Sequence, residues 1–371
     1  MFIVDAHEDI AYNALHHERD VRRAVRRTRE LEMARMPCCV GPVLGVPETA
    51  MVGLPEHQRG GVGLVFATIF VPPDAPDAMA ADAEAQLRYY QELAAEGTRN
   101  GMRLVTSRAD LDGLVGDWEA ALTPAERPVG FALLMEGADP LRSPAELEQW
   151  HARGLRLVGP AWRGTRYCGG TGAPGPLTDA GFALLVEMQR LGMILDLSHM
   201  AEESFWQALD AFSGTVIASH SNSRALVPTD RQLSDEMIRA LAARDGVIGA
   251  VFANRFLDWT WTAWSERGVA LATVVRHIDH ICQLTGTARH CAIGSDLDGG
   301  FGVESTPDEL DSVADLTKLA DALIRAGYSE DDISGIMGGN WLRVLRRSLP
   351  VGARPAALAD LAGARLPSPT G

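Results

Sequence analysis

Short apolar runs alternate with longer amphipathic segments along most of the chain. Eight of these runs have the β-prone composition of buried strands, and the segments between them have the residue spacing of helices. The strand candidates begin near residues 2, 62, 129, 155, 193, 215, 247 and 291. Eight strands separated by helices are the pattern of a (β/α)₈ barrel, the TIM barrel of the α/β class.

The segments outside this repeat are one helical stretch, two loops and a tail. Helical spacing covers residues 11–35, and residues 36–61 are rich in proline and glycine, which predicts a long loop at the rim of the barrel. Residues 162–176 predict a second loop, whose glycines allow it to pass close to a ligand or to move over it. We expect one barrel domain over residues 1–350 and a loosely attached Ala- and Pro-rich tail over residues 351–371.

Charge and composition exclude several classes of partner. The formal net charge of −15 at pH 7 repels phosphate backbones, and no basic patch with interleaved aromatic residues is present, so we expect no nucleic acid partner. We expect no membrane partner either, because no apolar run approaches the length of about 18 residues that a transmembrane helix needs and the N-terminus does not resemble a signal peptide. An odd number of cysteines without metal-binding spacing predicts buried thiols in a reducing compartment, which favours a cytoplasmic location. They are Cys38, Cys39, Cys168, Cys282 and Cys291.

Five of the strand candidates finish on side chains that bind metal ions. The first ends in a His-x-Asp pair, and because strand side chains alternate, His7 and Asp9 project the same way. The other four end at Glu136, His199, His220 and Asp296. Taken singly, each residue is explained as well by a helix cap or a polar strand end. Parallel strands in a barrel would instead bring all of them to one mouth.

These imidazoles and carboxylates are too many for a single structural zinc, which usually takes about four ligands. They suit a pair of divalent ions about 3.5–4 Å apart that share one carboxylate. Glu136 is the candidate for the shared ligand, because a glutamate offers two oxygens and the only lysine, Lys318, lies in a helical stretch after the last strand. His7 and Asp9 would then hold one ion, and two ligands would remain for the other. These are His199 and His220.

The last strand candidate supplies a further carboxylate, Asp296. A hydroxide between two divalent ions is the nucleophile that such a site provides at neutral pH. We expect Asp296 to take the proton of the attacking water and to pass it to the leaving group. A direct contact between Asp296 and a metal ion is the alternative role.

Six segments in order along the chain resemble the membrane (renal) dipeptidase family, which is peptidase family M19 of the amidohydrolase superfamily. The segments are DAHEDI at Asp5, LLMEGADPL at Leu133, ILDLSHM at Ile194, VIASHSNSRAL at Val216, IGSDLDGG at Ile293 and GGNWLRVLR at Gly338. The resemblance implies a (β/α)₈ barrel with two zinc ions that cleaves dipeptides and tolerates a D-residue at their C-terminal side. It also implies one zinc ion on His7, Asp9 and Glu136, a second on Glu136, His199 and His220, and Asp296 as catalytic acid and base.

The resemblance has one further match and one departure. Arg231 matches the family arginine that pairs with the substrate carboxylate, a task that suits a planar guanidinium. At the end of the fourth strand, relatives similar to the renal enzyme carry a histidine that holds the scissile carbonyl oxygen, and here Trp162 stands in its place. Either the Trp162 indole N–H, Arg163 or Arg166 takes over this contact, or the substrate is not an ordinary dipeptide.

The leading hypothesis is therefore a zinc-dependent dipeptidase that acts on small dipeptides, including those with a C-terminal D-residue. A second hypothesis keeps the metals but hydrolyses N-acyl amino acids or lactones, because of the departure at Trp162. A third is a metal-binding scaffold without activity, which five converging polar strand ends argue against. The sequence leaves the oligomeric state open, and a homodimer is one option.

Overall fold

Parallel strands close almost completely into a barrel in the computed structural model, which describes residues 1–35, 48–97, 101–263 and 268–352. The strands are β1 (Ile3–Glu8), β2 (Val62–Phe70), β3 (Met102–Leu104), β4 (Val129–Glu136), β5 (Leu155–Gly159), β6 (Cys168–Gly170), β7 (Ala173–Leu177), β8 (Ile194–Asp196), β9 (Val216–Ile217), β10 (Ile248–Ala250) and β11 (Cys291–Ile293). Eight of them follow one another in the order β10–β11–β1–β2–β4–β5–β8–β9, and a parallel bridge between Ala218 and Ile248 joins the two ends. These are the predicted strands, and the predicted TIM barrel is confirmed.

Helices surround the barrel and connect its strands. They are α1 (Ile10–His16), α2 (Val25–Arg35), α3 (Leu54–Gly60), α4 (Pro76–Ala95), α5 (Arg108–Ala120), α6 (Leu147–Ala152), α7 (Asp179–Arg190), α8 (Glu202–Ala211), α9 (Asp235–Ala243), α10 (Asn254–Leu257), α11 (Ala272–Thr285), α12 (Lys318–Arg325), α13 (Glu330–Ser334) and α14 (Asn340–Ser348). Their starts carry recognisable caps. The Ser107 hydroxyl accepts the N–H of Asp110 at 3.1 Å ahead of α5, and Thr178 does the same for Gly181 at 3.1 Å ahead of α7.

Alternating side chains of the longer strands form two apolar layers. In β4, Ala132 and Leu134 belong to the cluster inside the barrel, whereas Leu133 and Met135 belong to the layer between strands and helices. Glu136 continues the inward row of β4, which aims its carboxylate into the mouth of the barrel. The apolar runs of the sequence are thus buried on both faces because helices cover the outside.

The end of β1 departs from strict alternation. Its register with β2 is irregular between Asp5 and Glu8, and such an irregularity turns later side chains to the other face. Glu8 consequently pairs with the buried His57 of α3, whose Nε2 lies 2.9 Å from a Glu8 carboxylate oxygen. His7 and Asp9 face the mouth instead. His7 and Asp9 thus project to the same side as predicted, with 3.8 Å between His7 Nε2 and an Asp9 carboxylate oxygen, and the irregularity decides which side this is.

Three local predictions were wrong. The long loop predicted over residues 36–61 contains α3 (Leu54–Gly60), and its residues 36–47 lie outside the described residues. The continuous helix over residues 11–35 is interrupted between α1 and α2, where Glu18 adopts a left-handed φ of 55° and ends the helical path. The glycine-rich loop over residues 162–176 contains the antiparallel hairpin of β6 and β7. Its glycines permit close strand contact, since a Cβ on Gly169 would lie 2.5 Å from the nitrogen of Gly175.

The barrel closes tightly around Ser219, and this predicts a stability effect. A Cβ on Gly249 would lie 1.9 Å from the Ser219 carbonyl oxygen, so Gly249→Ala is expected to reduce the free energy of unfolding by about 1–3 kcal/mol in urea titrations. Gly113→Ala is the matched control, because nothing lies within 4 Å of the added methyl on α5. Replacing this helical glycine is expected to be neutral or to add up to about 1 kcal/mol. Equal unfolding curves for the two variants would contradict the close contact.

The described part of the chain also bears on the cysteines and the membrane. Cys168, Cys282 and Cys291 are free, buried thiols as predicted, and Cys38 and Cys39 lie outside the described residues. None of the helices in the described ranges combines the length and apolar character needed to cross a bilayer. The cytoplasmic location, the homodimer, and the division at residue 350 stay predictions, and residues 353–371 of the tail lie outside the described residues.

Candidate metal centre

The predicted ligands converge at the carboxyl ends of the barrel strands, around Glu136. Its Oε2 lies 3.4 Å from Nε2 of His7. Its Oε1 lies 3.1 Å from Nε2 of His199 and 3.4 Å from Nε2 of His220. One carboxylate thus faces imidazoles from two sides, which is the arrangement expected of a ligand shared by two ions.

Two acidic side chains complete the group. The Nε2 of His7 lies 3.8 Å from a carboxylate oxygen of Asp9 and 3.8 Å from one of Asp296. Within the described residues, three sets place one ligand atom from each member within 4.8 Å of the others. The sets are His7, Asp9 and Glu136; Glu136, His199 and His220; and His7, His220 and Asp296.

The donor chemistry of this group fits divalent cations. Imidazole nitrogens and carboxylate oxygens are the ligands that zinc takes in catalytic sites. The Nε2 atoms of His199 and His220 are only 3.0 Å apart, which brings two lone pairs together unless a proton or a cation lies with them. The first two sets have the members that the sequence analysis assigned to two ions, with Glu136 in both, whereas the third set combines His7 and His220 with Asp296. The division between two ions stays a prediction.

Hydroxyl groups hold the ligand side chains from behind. Oγ1 of Thr171 lies 3.0 Å from Nδ1 of His199, and Oγ of Ser219 lies 2.8 Å from Nδ1 of His220. Ser219 in turn donates to Asp196 at 2.5 Å, and Thr68 donates to a carboxylate oxygen of Asp9. Because the Nδ1 atoms are engaged, the Nε2 atoms face the centre. The sequence analysis missed these residues, and the one available signal was the carboxylate of Asp196 inside an apolar strand.

The Ser219 contact gives a testable prediction. Ser219→Ala removes the group that orients the His220 ring and is expected to weaken metal binding by about 10- to 100-fold. Competition with a chromophoric chelator measures this affinity. Ser213→Ala is the matched control, because its hydroxyl is exposed and bonds to Gln189 away from the centre. Equal affinities in both variants would mean that Ser219 does not support the ligand.

Left-handed backbone conformations occur at two residues of the group. His199 has a φ of 64° and Asp296 a φ of 62°. Such conformations cost of order 1–3 kcal/mol for a residue with a side chain and persist where the surrounding structure demands them. The space beside Asp296 is equally constrained, since a Cβ on Gly299 would lie 1.9 Å from a carboxylate oxygen of Asp296. The backbone thus holds both side chains in place at the mouth.

Burial and close charges redistribute protons among these groups. Burial lowers the pKa of His7, but the carboxylate of Glu136 and its acidic neighbours outweigh that effect and raise it to about 10. Burial and the Arg231 guanidinium lower the pKa of His199 to about 4. Burial also raises the pKa of Asp296 well above its usual range. Acids and bases so closely packed hold protons that a bound cation would displace.

A cavity of about 700 Å³ opens above the group. Three of the predicted substrate-binding residues line it, namely Trp162, Arg163 and Arg231. Arg166 is not brought to it: its backbone N–H donates to Asp139 at 2.9 Å and its guanidinium pairs with the same carboxylate at 3.3 Å. The structure therefore leaves Arg166 out of the candidate site.

Comparison with known proteins agrees with this geometry. The sequence model of the membrane dipeptidases, peptidase family M19, matches residues 1–354. The chain belongs to this family. A protein of Klebsiella pneumoniae, described as an uncharacterized protein in the pqqA 5' region, is 35% identical over 271 residues, which are 70% of this chain and 94% of that protein. The dipeptidase aclJ of Aspergillus oryzae is 35% identical over 171 residues, or 46% of this chain and 39% of that protein.

Solved structures of similar fold include other M19 proteins. A crystal structure described as a dipeptidase and metallopeptidase of family M19 is 25% identical, with a TM-score of 0.75 over 94% of this chain and 99% of that chain. A metallopeptidase from Rhodobacter sphaeroides, solved with a phosphinate mimic of the dipeptide L-Ala-D-Ala, is 24% identical with a TM-score of 0.74 and covers 94% of this chain and 99% of that chain. This M19 protein therefore has the amidohydrolase-like barrel of a metallopeptidase family.

Arg231 has its guanidinium buried at the edge of the cavity in this M19 protein. Its Nη2 donates to the His220 carbonyl at 2.6 Å, and its Nη1 donates to the Ser221 hydroxyl at 3.1 Å. The Nε is buried without a hydrogen-bond partner among the described residues. A buried cation with an unused donor is suited to an anionic group of a ligand, because an unpaired N–H at such a place is costly.

Proposed function

We propose that this M19 protein is a dinuclear zinc dipeptidase whose substrates include dipeptides with a C-terminal D-residue. The observation that carries the proposal is that Glu136 belongs to two sets of candidate ligands. One set adds His7 and Asp9, and the other adds His199 and His220. Bound zinc supplies a nucleophilic water at neutral pH and polarises the scissile carbonyl.

The protein's own residues supply positioning and proton transfer. Arg231 lies buried at the cavity edge beside His220, where its guanidinium would bind the C-terminal carboxylate of the substrate. We expect a substrate held there to have its peptide bond near Glu136, whose charge interacts with that of Arg231. We also expect either configuration at the C-terminal residue to be tolerated when its side chain points into the cavity of about 700 Å³.

Asp296 would move the proton. It accepts a proton from the attacking water and donates one to the nitrogen of the leaving amino acid. Burial raises the pKa of Asp296 well above its usual range, and the positive charge of His7 opposes this rise.

A second candidate function is hydrolysis of N-acyl amino acids. Trp162 favours this function. Family members similar to the renal enzyme carry at this position a histidine that holds the scissile carbonyl oxygen, whereas an indole offers only a single N–H. An acyl group without an amine would also place apolar surface against the Trp162 ring, which lies 5.0 Å from the Phe70 ring. Both functions use the same metal ligands and the same arginine, so only substrate tests separate them.

Turnover on a defined panel, after zinc loading and metal analysis, tests the proposal. We expect about two zinc ions per chain and hydrolysis of both L-Ala-L-Ala and L-Ala-D-Ala. Activity confined to N-acetyl amino acids or to lactones would support the second candidate in its place. A fully loaded protein that cleaves none of these compounds would reject both functions.

A further inference from the structure

The cavity has a continuous aromatic wall that the proposed chemistry does not use. The Tyr12 and Phe70 rings meet edge-on at 5.3 Å, and the Phe70 and Trp162 rings meet edge-on at 5.0 Å. All three line the cavity. The guanidinium of Arg163 lies 5.3 Å from the centre of the Trp162 ring and helps to fix its orientation. We name Tyr12, Phe70 and Trp162 the aromatic wall.

The aromatic wall reaches the candidate metal centre. The centre of the Trp162 ring lies 6.5 Å from that of the His199 ring. A substrate group that packs on Trp162 is therefore attached close to the bond that is cleaved. Edge-to-face aromatic contacts favour a planar substrate group over a methyl group by more than their buried area alone.

The barrel topology decides which end of a dipeptide meets this wall. Tyr12 follows β1, Phe70 ends β2 and Trp162 follows β5, so the middle of the wall lies at β2 and β4. Arg231 follows β9, and its guanidinium carbon lies 5.3 Å from the ring centre of Phe256 in α10, the helix after β10. In the closed strand order, β9 and β10 are each three or four strands away from β2 and β4. The arginine side and the aromatic wall are thus on opposite sides of the mouth.

This placement assigns the two ends of the substrate. With the C-terminal carboxylate at Arg231 and the peptide bond over Glu136, the amino-terminal residue points toward the opposite side of the mouth. The volume of about 700 Å³ exceeds what two alanines fill and falls in the usual range of ligand sites, about 300–1,000 Å³. A ring on the amino-terminal residue would occupy the space beside the aromatic wall.

We propose that this M19 protein prefers dipeptides whose amino-terminal residue carries an aromatic side chain, and that Trp162 determines this preference. The inference rests on the proposed dipeptidase function and makes it more specific. It concerns the N-terminal side chain, whereas the tolerance of a C-terminal D-residue concerns the other end of the substrate. The aromatic wall takes part through apolar and ring contacts, so Trp162 is a specificity residue rather than a group that exchanges protons.

The test compares three L,L-dipeptides on the zinc-loaded protein: Phe-Ala, Ala-Phe and Ala-Ala. We expect kcat/KM for Phe-Ala to exceed that for Ala-Ala by about tenfold or more, a usual gain for added apolar surface in a fitted pocket. Ala-Phe is expected to show a smaller gain. A turnover-independent measurement is the Kd, by calorimetry, of analogues in which a methylene replaces the peptide carbonyl, and it is expected to follow the same order.

Variants connect the preference to the wall. Trp162→Ala is expected to bring the Phe-Ala to Ala-Ala ratio close to one, whereas Trp162→Phe keeps most of it. The ratio divides out any common effect of a substitution on the chemical step. Trp206→Ala is the matched control, because this tryptophan is 37% exposed on α8 and is not among the residues that line the cavity. It is expected to leave the ratio within about twofold of the parent, as surface substitutions do.

Two results would overturn the inference while the dipeptidase function stands. Either the parent cleaves Ala-Ala as efficiently as Phe-Ala, or the ratio is high and Trp162→Ala leaves it unchanged. Absence of hydrolysis of these three dipeptides and of L-Ala-D-Ala by the loaded protein would reject the proposed function itself, and the preference with it.

Discussion

Replacing Asp296 by asparagine is expected to lower kcat by about 10²- to 10⁴-fold while both metal ions stay bound. Asparagine keeps the size and shape of the side chain, and it cannot carry a proton between water and leaving group. Asp296 is only 8% exposed, and one of its carboxylate oxygens lies 3.8 Å from Nε2 of His7. A substitute of equal volume is therefore needed to keep the packing. Steady-state kinetics and metal analysis on the same preparation measure the two effects separately.

The control for this prediction is Asp210→Asn, an exposed carboxylate near the end of α8 that neither lines the cavity nor belongs to the candidate ligand sets. It removes one negative charge from the protein as Asp296→Asn does and is expected to leave kcat unchanged. Unchanged turnover in Asp296→Asn would remove Asp296 from the mechanism. Loss of a metal ion together with turnover would instead favour its alternative role as a direct ligand.

Replacing Glu136 by glutamine is expected to reduce the metal content from two ions to one or fewer and to lower turnover by about 10³-fold or more. The amide has one oxygen and one N–H₂ group, so it cannot present an acceptor atom to both sides. In the structure, one Glu136 oxygen faces His7 and the other faces His199 and His220. Metal analysis by mass spectrometry after dialysis measures the stoichiometry.

Two further variants sharpen the Glu136 result. Glu136→Asp keeps two oxygens on a shorter side chain and is expected to retain more metal than Glu136→Gln. Glu119→Gln changes an exposed glutamate on α5 and is expected to bind both ions and to turn over at the parent rate. Full occupancy by two ions in Glu136→Gln would contradict a shared ligand at this position.

Long apolar runs were sufficient to locate the barrel strands. All nine residues of β2 are buried. A β-prone apolar run of this length with few polar positions is typical of a parallel strand that is covered on both faces. The hairpin of β6 and β7 was not predicted, because its glycines read as loop signals. They are compatible with pairing only because Gly169 and Gly175 pass each other without side chains, a contact that the local pattern does not specify.

The residues that carry chemistry were predictable to different degrees. His, Asp and Glu at the ends of apolar runs are unusual enough to be recognised in a sequence, and Glu136 and His199 are examples. Hydroxyl groups such as those of Thr171 and Ser219 are common on protein surfaces, so nothing in the sequence distinguishes the ones that hold an imidazole. Arg166 illustrates the reverse case, since its pairing with Asp139 removes it from a site that its position in the chain suggested.

The sequence by itself determined the strand and helix repeat, and with it the end of the barrel at which the acidic and imidazole side chains collect. Periodicity is a local property, and the pairing of parallel strands brings their carboxyl ends to one side. Only the tertiary structure decided the phase of His7 through the bulge in β1, the hydroxyl contacts behind the ligands, and the position of the aromatic wall across the mouth from Arg231. These depend on distances between segments far apart in the chain, which packing sets and local pattern does not encode.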